Sequence, residues 1–203
     1  MKNLIIILVG FLILPILSFA QSNQVFDFVS SLNDGYAAIK KGDQWSFINS
    51  DGKKVMDFRN DLVLTKCDDG LYPVFMDGRC LIEKKIDGIS YFGYIDPTGK
   101  VVIEPQFLNA SNFNNQLAVA IYLLKEKLGQ NDVLGKNVVN YRYFEVVIDT
   151  DGNIKSYLDD KGVNVVLDKK YLRLPPKITS KLISENLSAV MVDKDHWTIK
   201  KIQ

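Results

Sequence analysis

The chain repeats itself loosely about four times. That limits it to architectures in which similar units lean on one another and bury a shared core. One box starts with small or polar residues, passes through Gly, Gln or Asn, and continues with alternating apolar residues. It reads Asn33-Asp34-Gly35-Tyr36-Ala37-Ala38-Ile39, then Asp68-Asp69-Gly70-Leu71-Tyr72-Pro73-Val74. It returns as Asn114-Asn115-Gln116-Leu117-Ala118-Val119-Ala120 and as Ser184-Glu185-Asn186-Leu187-Ser188-Ala189-Val190. A second box follows at variable distance: Trp45-Ser46-Phe47-Ile48-Asn49-Ser50-Asp51-Gly52-Lys53, Phe92-Gly93-Tyr94-Ile95-Asp96-Pro97-Thr98-Gly99-Lys100, and Glu145-Val146-Val147-Ile148-Asp149-Thr150-Asp151-Gly152-Asn153. A fourth copy begins Trp197-Thr198-Ile199-Lys200. Val101–Phe107 links the second unit to the third, and Leu172–Ile178 takes that part before the fourth.

The boxes read as strands and tight turns. Tyr36–Lys40, Gln44–Ile48, Leu71–Phe75, Phe92–Ile95, Val101–Glu104 and Leu117–Leu123 are short and rich in β-branched or aromatic residues. Asp51-Gly52 and Asp151-Gly152 are hairpin-turn pairs, because such turns need residues that tolerate positive φ. Helical periodicity is confined to short stretches near Val25–Ser31 and Lys177–Glu185. The expected fold class is all-β: about four stacked antiparallel β-hairpin repeats with few or no long helices. Residues 78–90 and 125–140 then read as inserts, which in repeat proteins become loops on one face.

These boxes resemble the WG-repeat family. The second unit carries the resemblance best, in Gly93-Tyr94-Ile95-Asp96, Thr98-Gly99-Lys100, Val101-Val102-Ile103, Pro105, Phe113 and Leu117-Ala118-Val119. The Trp-Gly pair itself reads Trp45-Ser46, Phe92-Gly93 and Trp197-Thr198. The resemblance implies a β-repeat domain over 31–203, in units of about 31–60, 61–107, 108–158 and 159–203, with 21–30 as lead-in. It speaks to fold far more than to activity.

Met1-Lys2-Asn3, an apolar run from Leu4 to Leu17, and Ser18-Phe19-Ala20 have the three-part layout of a bacterial-style secretory signal peptide at 1–20. The apolar run is shorter than the roughly twenty residues a membrane span needs, and no second such run follows. The expected location is exported, periplasmic or extracellular. Removing 1–20 takes one lysine from 25 Lys+Arg and none from 24 Asp+Glu, so the mature chain is formally neutral. Neutrality argues against nucleic acid as a partner.

One His and two Cys leave little room for metal or nucleophile chemistry. No cofactor and no catalytic constellation is expected, so the chain does not read as an enzyme. His196 falls at the repeat position of Gln44, a strand or turn site. Asp149–Asn153 has a calcium-loop look, but Ile154 stands where that loop needs Gly, so it reads as a turn. Cys67 and Cys80 flank one strand; in an exported protein they are either a disulfide or two reduced, half-buried residues. Trp45, Phe92, Tyr94 and Trp197 recur at equivalent positions, as a ligand surface or as stacking core. The alternation that puts such aromatics on one face favours core.

The functional expectation is a non-catalytic module that binds a protein, peptide or glycan at the cell envelope or outside the cell. The alternatives are an envelope hydrolase using carboxylates such as Glu83, Asp87 and Asp96, or a passive structural protein. The first testable consequence concerns export. Mass analysis of the protein recovered from the producing cell's periplasm or medium should show an N-terminus at Gln21; an N-terminus at Met1 would refute cleavage.

Overall fold

The computed structural model describes residues 24–131 and 136–202. The signal at 1–20 lies outside them. Fifteen strands and no helix make up these residues, which is the expected all-β class. One three-stranded sheet comprises β1 (Phe28–Asn33), β2 (Tyr36–Lys41) and β3 (Gln44–Asn49). A small hairpin, β4 (Thr65–Cys67) and β5 (Gly70–Tyr72), precedes the main sheet. That sheet contains β6 (Cys80–Ile86), β7 (Ile89–Ile95), β8 (Val101–Ala110), β9 (Leu117–Asn131), β10 (Lys136–Asp149) and β11 (Ile154–Tyr157) as sequential neighbours. The short β12 (Val163–Asn164) also pairs with β10. A last sheet holds β13 (Lys181–Ser184), β14 (Leu187–Met191) and β15 (Trp197–Lys201). All pairings between these strands are antiparallel.

The two stretches with helical periodicity are β-structure or coil. Phe28–Asn33 pairs with β2, and Lys181–Ser184 pairs with β14. A neighbouring strand satisfies a whole row of backbone groups, which outweighs the weak local preference of a short segment. The expected loops also differ. Residues 78–90 form most of the β6–β7 hairpin, and 125–131 with 136–140 carry β9 and β10 beyond the other hairpins. Leu172–Ile178 is not a second copy of β8; it crosses as coil, with Leu172 buried.

Register identifies the repeat more sharply than spacing does. Four hairpins correspond: β2–β3, β6–β7, β9–β10 and β14–β15. Their aligned pairs are Ala37↔Ile48, Cys80↔Ile95, Ala118↔Ile148 and Ser188↔Lys200. Each begins after a two-residue turn, at Asp34-Gly35, Asp77-Gly78, Asn115-Gln116 and Glu185-Asn186. In the second unit the first box is therefore Asp77–Ile82; Asp68–Val74, with the more obvious spelling, makes the small hairpin at β4–β5. The first three turns are chained together. Asp34 Oδ2 accepts the Gly78 amide at 2.6 Å, and Asp77 Oδ2 accepts the Gln116 amide at 2.7 Å.

Each central hairpin buries both faces. In the second, Cys80, Ile82 and Ile95 join a cluster with Ala38, Trp45 and Phe47 of the first unit. Leu81, Phe92 and Tyr94 face the other way, into a cluster with Ala118, Ala120, Val146 and Ile148 of the third. The third repeats the arrangement: its Val119 and Val147 join Ile202 and the half-buried Val190 of the fourth. Strand alternation thus sends odd and even positions to different neighbours, which is how a stack of similar units shares its cores.

The Trp-Gly position follows from the same geometry. Phe92 pairs with Phe107 and Tyr94 with Ile103, so Gly93 alone faces a bulge of three residues containing Pro105. A Cβ on Gly93 would lie 2.4 Å from the Ile103 carbonyl and 2.6 Å from the Pro105 nitrogen. The first unit has the same bulge, since Trp45 bonds Arg59 and Phe47 bonds Val55. There Ser46 is fully buried, and its hydroxyl donates to the Met56 carbonyl at 2.6 Å. In the third unit Val146↔Tyr157 and Val147↔Ser156 pair in step, so a valine fits. Gly93→Ala should cost about 3 kcal/mol by forcing backbone apart, and Ser46→Ala about 1 kcal/mol for one hydrogen bond. Urea midpoints measure both; an unchanged Gly93→Ala midpoint would contradict the packing account.

Candidate functional site

The four repeat aromatics separate into two groups. Trp45 is 8% exposed, Phe92 and Tyr94 are buried, and Trp197 is 43% exposed. Trp45 meets Phe28 edge-on at 5.7 Å between ring centroids. Tyr94 meets Phe113 at a tilt with ring centroids 4.7 Å apart, and its hydroxyl donates to the Ser111 carbonyl at 2.6 Å. Trp45, Phe92 and Tyr94 are core and not a ligand surface. Strand alternation points them at the next unit, as their apolar bulk favours.

Trp197 occupies the place of Trp45 in the fourth hairpin. It pairs with Met191, while Ile199 pairs with Ala189 and Ala189 with Lys181. These residues share one face with Ile183 and Leu187. Ile183, Leu187, Trp197 and Ile199 are all exposed. The Lys181 ammonium sits 4.8 Å above the indole, a cation–π contact that fixes the ring's orientation. Among the described residues this is the one repeat hairpin whose Trp face lies open.

The Glu145 position is the aromatic site of the third unit. Its carboxylate is buried and accepts the Thr179 amide and hydroxyl, both at 2.7 Å, and the Ser180 amide at 2.8 Å. A polar anchor to the lead-in of the last sheet replaces an aromatic contact, and Glu145 is therefore spoken for structurally. Spacing could have flagged it, as the one charged residue at a Trp-Gly position.

The remaining candidates do not converge. Glu83 accepts the Ser90 hydroxyl across its own hairpin. Asp87 lies in the β6–β7 turn and Asp96 beyond the far end of β7, so the two are about 25–30 Å apart along an extended strand. That is far outside glycosidase carboxylate spacing. Asp96 closes its turn by accepting the Thr98 hydroxyl and the Thr98 and Lys100 amides. Burial raises the Asp96 pKa, but these donors outweigh it and hold the carboxyl below its ordinary range. Asn49 and Asp149 close the equivalent turns with the same pair of amide contacts, at Gly52, Gly99 and Gly152 with φ of 74°, 85° and 84°. The calcium-like loop is thus a recurring hairpin turn. His196 is exposed in the β14–β15 turn, 2.7 Å from Asp193. No trio of His, Cys, Asp or Glu among the described residues gathers as a metal site.

Cys67 and Cys80 are free thiols here. Cys67 pairs with Gly70 in the small hairpin, and Cys80 with Ile95 in the main sheet. Cys80 stands where the other units have Ala37, Ala118 and Ser188, all buried and small. Burial pushes its thiol pKa far up, so it is a packing residue with little thiolate character. The expected result is two free thiols by non-reducing mass analysis, with Cys67 labelled in the native state and Cys80 only on unfolding. Cys80→Ala should cost about 1 kcal/mol.

Recurring turns, a shared register and cores between units define a protein of antiparallel β-hairpin repeats. Residues 25–45 and 92–121 match the family model described as WG containing repeat, the family that the sequence boxes resemble. No curated protein and no solved structure matches the chain.

Proposed function

We propose that the chain is an exported, non-catalytic binding protein that engages a protein, peptide or glycan at the cell envelope or outside the cell. The observation that supports this reading is the open face around Trp197. Its counterpart around Trp45 is covered by the second unit, and a covered aromatic face is what this architecture stacks upon. An exposed Trp held by a lysine, with Ile183, Leu187 and Ile199 around it, has the composition of a binding hot spot. Export is supported by the layout of residues 1–20, which delivers the chain to the compartment where such partners reside.

The test is a pull-down from envelope extracts with the mature chain and with Trp197→Ala. Wild type should enrich a reproducible partner, and truncating the indole should cost about 2 kcal/mol, roughly thirtyfold in affinity. Enrichment of nothing reproducible, or equal enrichment by the variant, would overturn the reading.

A further inference from the structure

Charge is unevenly distributed along this balanced chain. From Lys169 to Ser184 there are five cations, Lys169, Lys170, Arg173, Lys177 and Lys181, and no acid. The first three belong to a coil strap between β12 and β13. Asp168 shapes the strap's turn: its backbone carbonyl accepts the Tyr171 and Leu172 amides, and its Oδ1 accepts the Lys170 amide at 2.7 Å. Leu172 points inward, into a cluster with Ile89, Leu108 and Ile121. Further along, the Asn109 side-chain amide donates to the Pro176 carbonyl at 2.8 Å.

With Leu172 anchored, its neighbours project. Tyr171 is 62% exposed and Leu174 is 80% exposed. Lys169, Lys170 and Arg173 are exposed between and beside them. None of the three has a carboxylate partner within salt-bridge distance among the described residues. The tip of the β6–β7 hairpin abuts the strap, since a Cβ on Gly88 would lie 3.2 Å from the Lys169 chain. That tip adds exposed Lys84, Lys85 and Ile86. Gly88, Asp168, Lys169, Lys170 and Arg173 line a cleft of about 470 Å³. The strap carries one acid, Asp168, against Lys169, Lys170 and Arg173, and the tip adds Asp87; Lys84 and Lys85 are consecutive on β6 and so project from opposite faces of the tip.

We propose that this strap-and-tip surface docks on an anionic phospholipid membrane. Lys169, Arg173 and Lys170, whose ammonium lies 5.5 Å from the Tyr171 ring centroid, carry no carboxylate partner and complement the negative headgroup layer, each strengthening adsorption about fivefold. Tyr171 and Leu174 stand among those cations, where they reach the headgroup–acyl boundary as interfacial anchors. An anionic polymer in solution would reward the charges but leave an almost fully exposed leucine unused. The surface is separate from the Trp197 face, so either function stands without the other.

The test uses the mature chain with phosphatidylcholine vesicles, with and without phosphatidylglycerol, in a flotation assay. Wild type should float only with the anionic vesicles and should be released by high salt. The triple variant Lys169→Gln, Lys170→Gln, Arg173→Gln should bind them about a hundredfold more weakly. Tyr171→Ser with Leu174→Ser should also weaken flotation while leaving binding to soluble polyphosphate unchanged. All these side chains are exposed, so thermal melts should match wild type and confirm folding. Flotation with neutral vesicles, no flotation with either, or full binding by the triple variant would overturn the proposal. Full flotation by the Tyr171, Leu174 variant would assign the patch to plain polyanion capture and also overturn it.

Discussion

Burial on both faces of each central hairpin is the constraint from which the rest of the structure follows. A hairpin such as β6–β7 has alternating side chains, and over Cys80–Ile82 and Phe92–Ile95 neither set faces water. Each set needs its own neighbour, so a hairpin of this kind is stable only within a series. The repeat-equivalent small residues, Ala37, Cys80, Ala118 and Ser188, let these neighbours approach closely. The bulge opposite Gly93 and Ser46 bends the following strand across the hairpin, and there the permitted side chain is limited by backbone contact. Where the bulge is absent, valine stands in its place.

The same constraint accounts for the degeneracy of the sequence. A unit keeps its turn, its small residue and its hairpin partner, because these set register. The Trp position can change if the neighbour changes with it. Trp45 is held edge-on by Phe28 within an apolar cluster, whereas Glu145 is held by the amides of Thr179 and Ser180. The hairpin can also lengthen, as β9 and β10 do, because extra residues at the distal end leave the stacked portion undisturbed. Exposed apolar and charged side chains consequently lie where stacking leaves residues free: on the Trp197 face, on the strap between sheets, and at the hairpin tips.

Much of this was legible in the residues themselves. Period-two alternation, Asp-Gly pairs and recurring aromatics specify strands, turns and their order, because those depend on local sterics and side-chain direction. Those local signals also favoured core for Trp45, Phe92, Tyr94 and Trp197; the first three are buried, and Trp197 is exposed because no further hairpin covers its face among the described residues. They misplaced the first box of the second unit: Asp68-Asp69-Gly70 and Asp77-Gly78 are equally good turns locally, and only pairing with β7 selects the latter. They likewise read 78–90 and 125–140 as loops, since polar and charged residues on exposed parts of a hairpin resemble loop composition.

Sequence by itself determined the all-β class, the repeat, the Asp-Gly turns and the charge balance. Each is a property of residue type and spacing within a few positions. Tertiary structure alone decided which aromatics are covered, why Cys80 is a packing residue, and how far apart Asp87 and Asp96 lie. It also placed the basic strap beside the β6–β7 tip. Those facts depend on which strand lies next to which, and residues far apart in the chain meet only once the cores between units have closed.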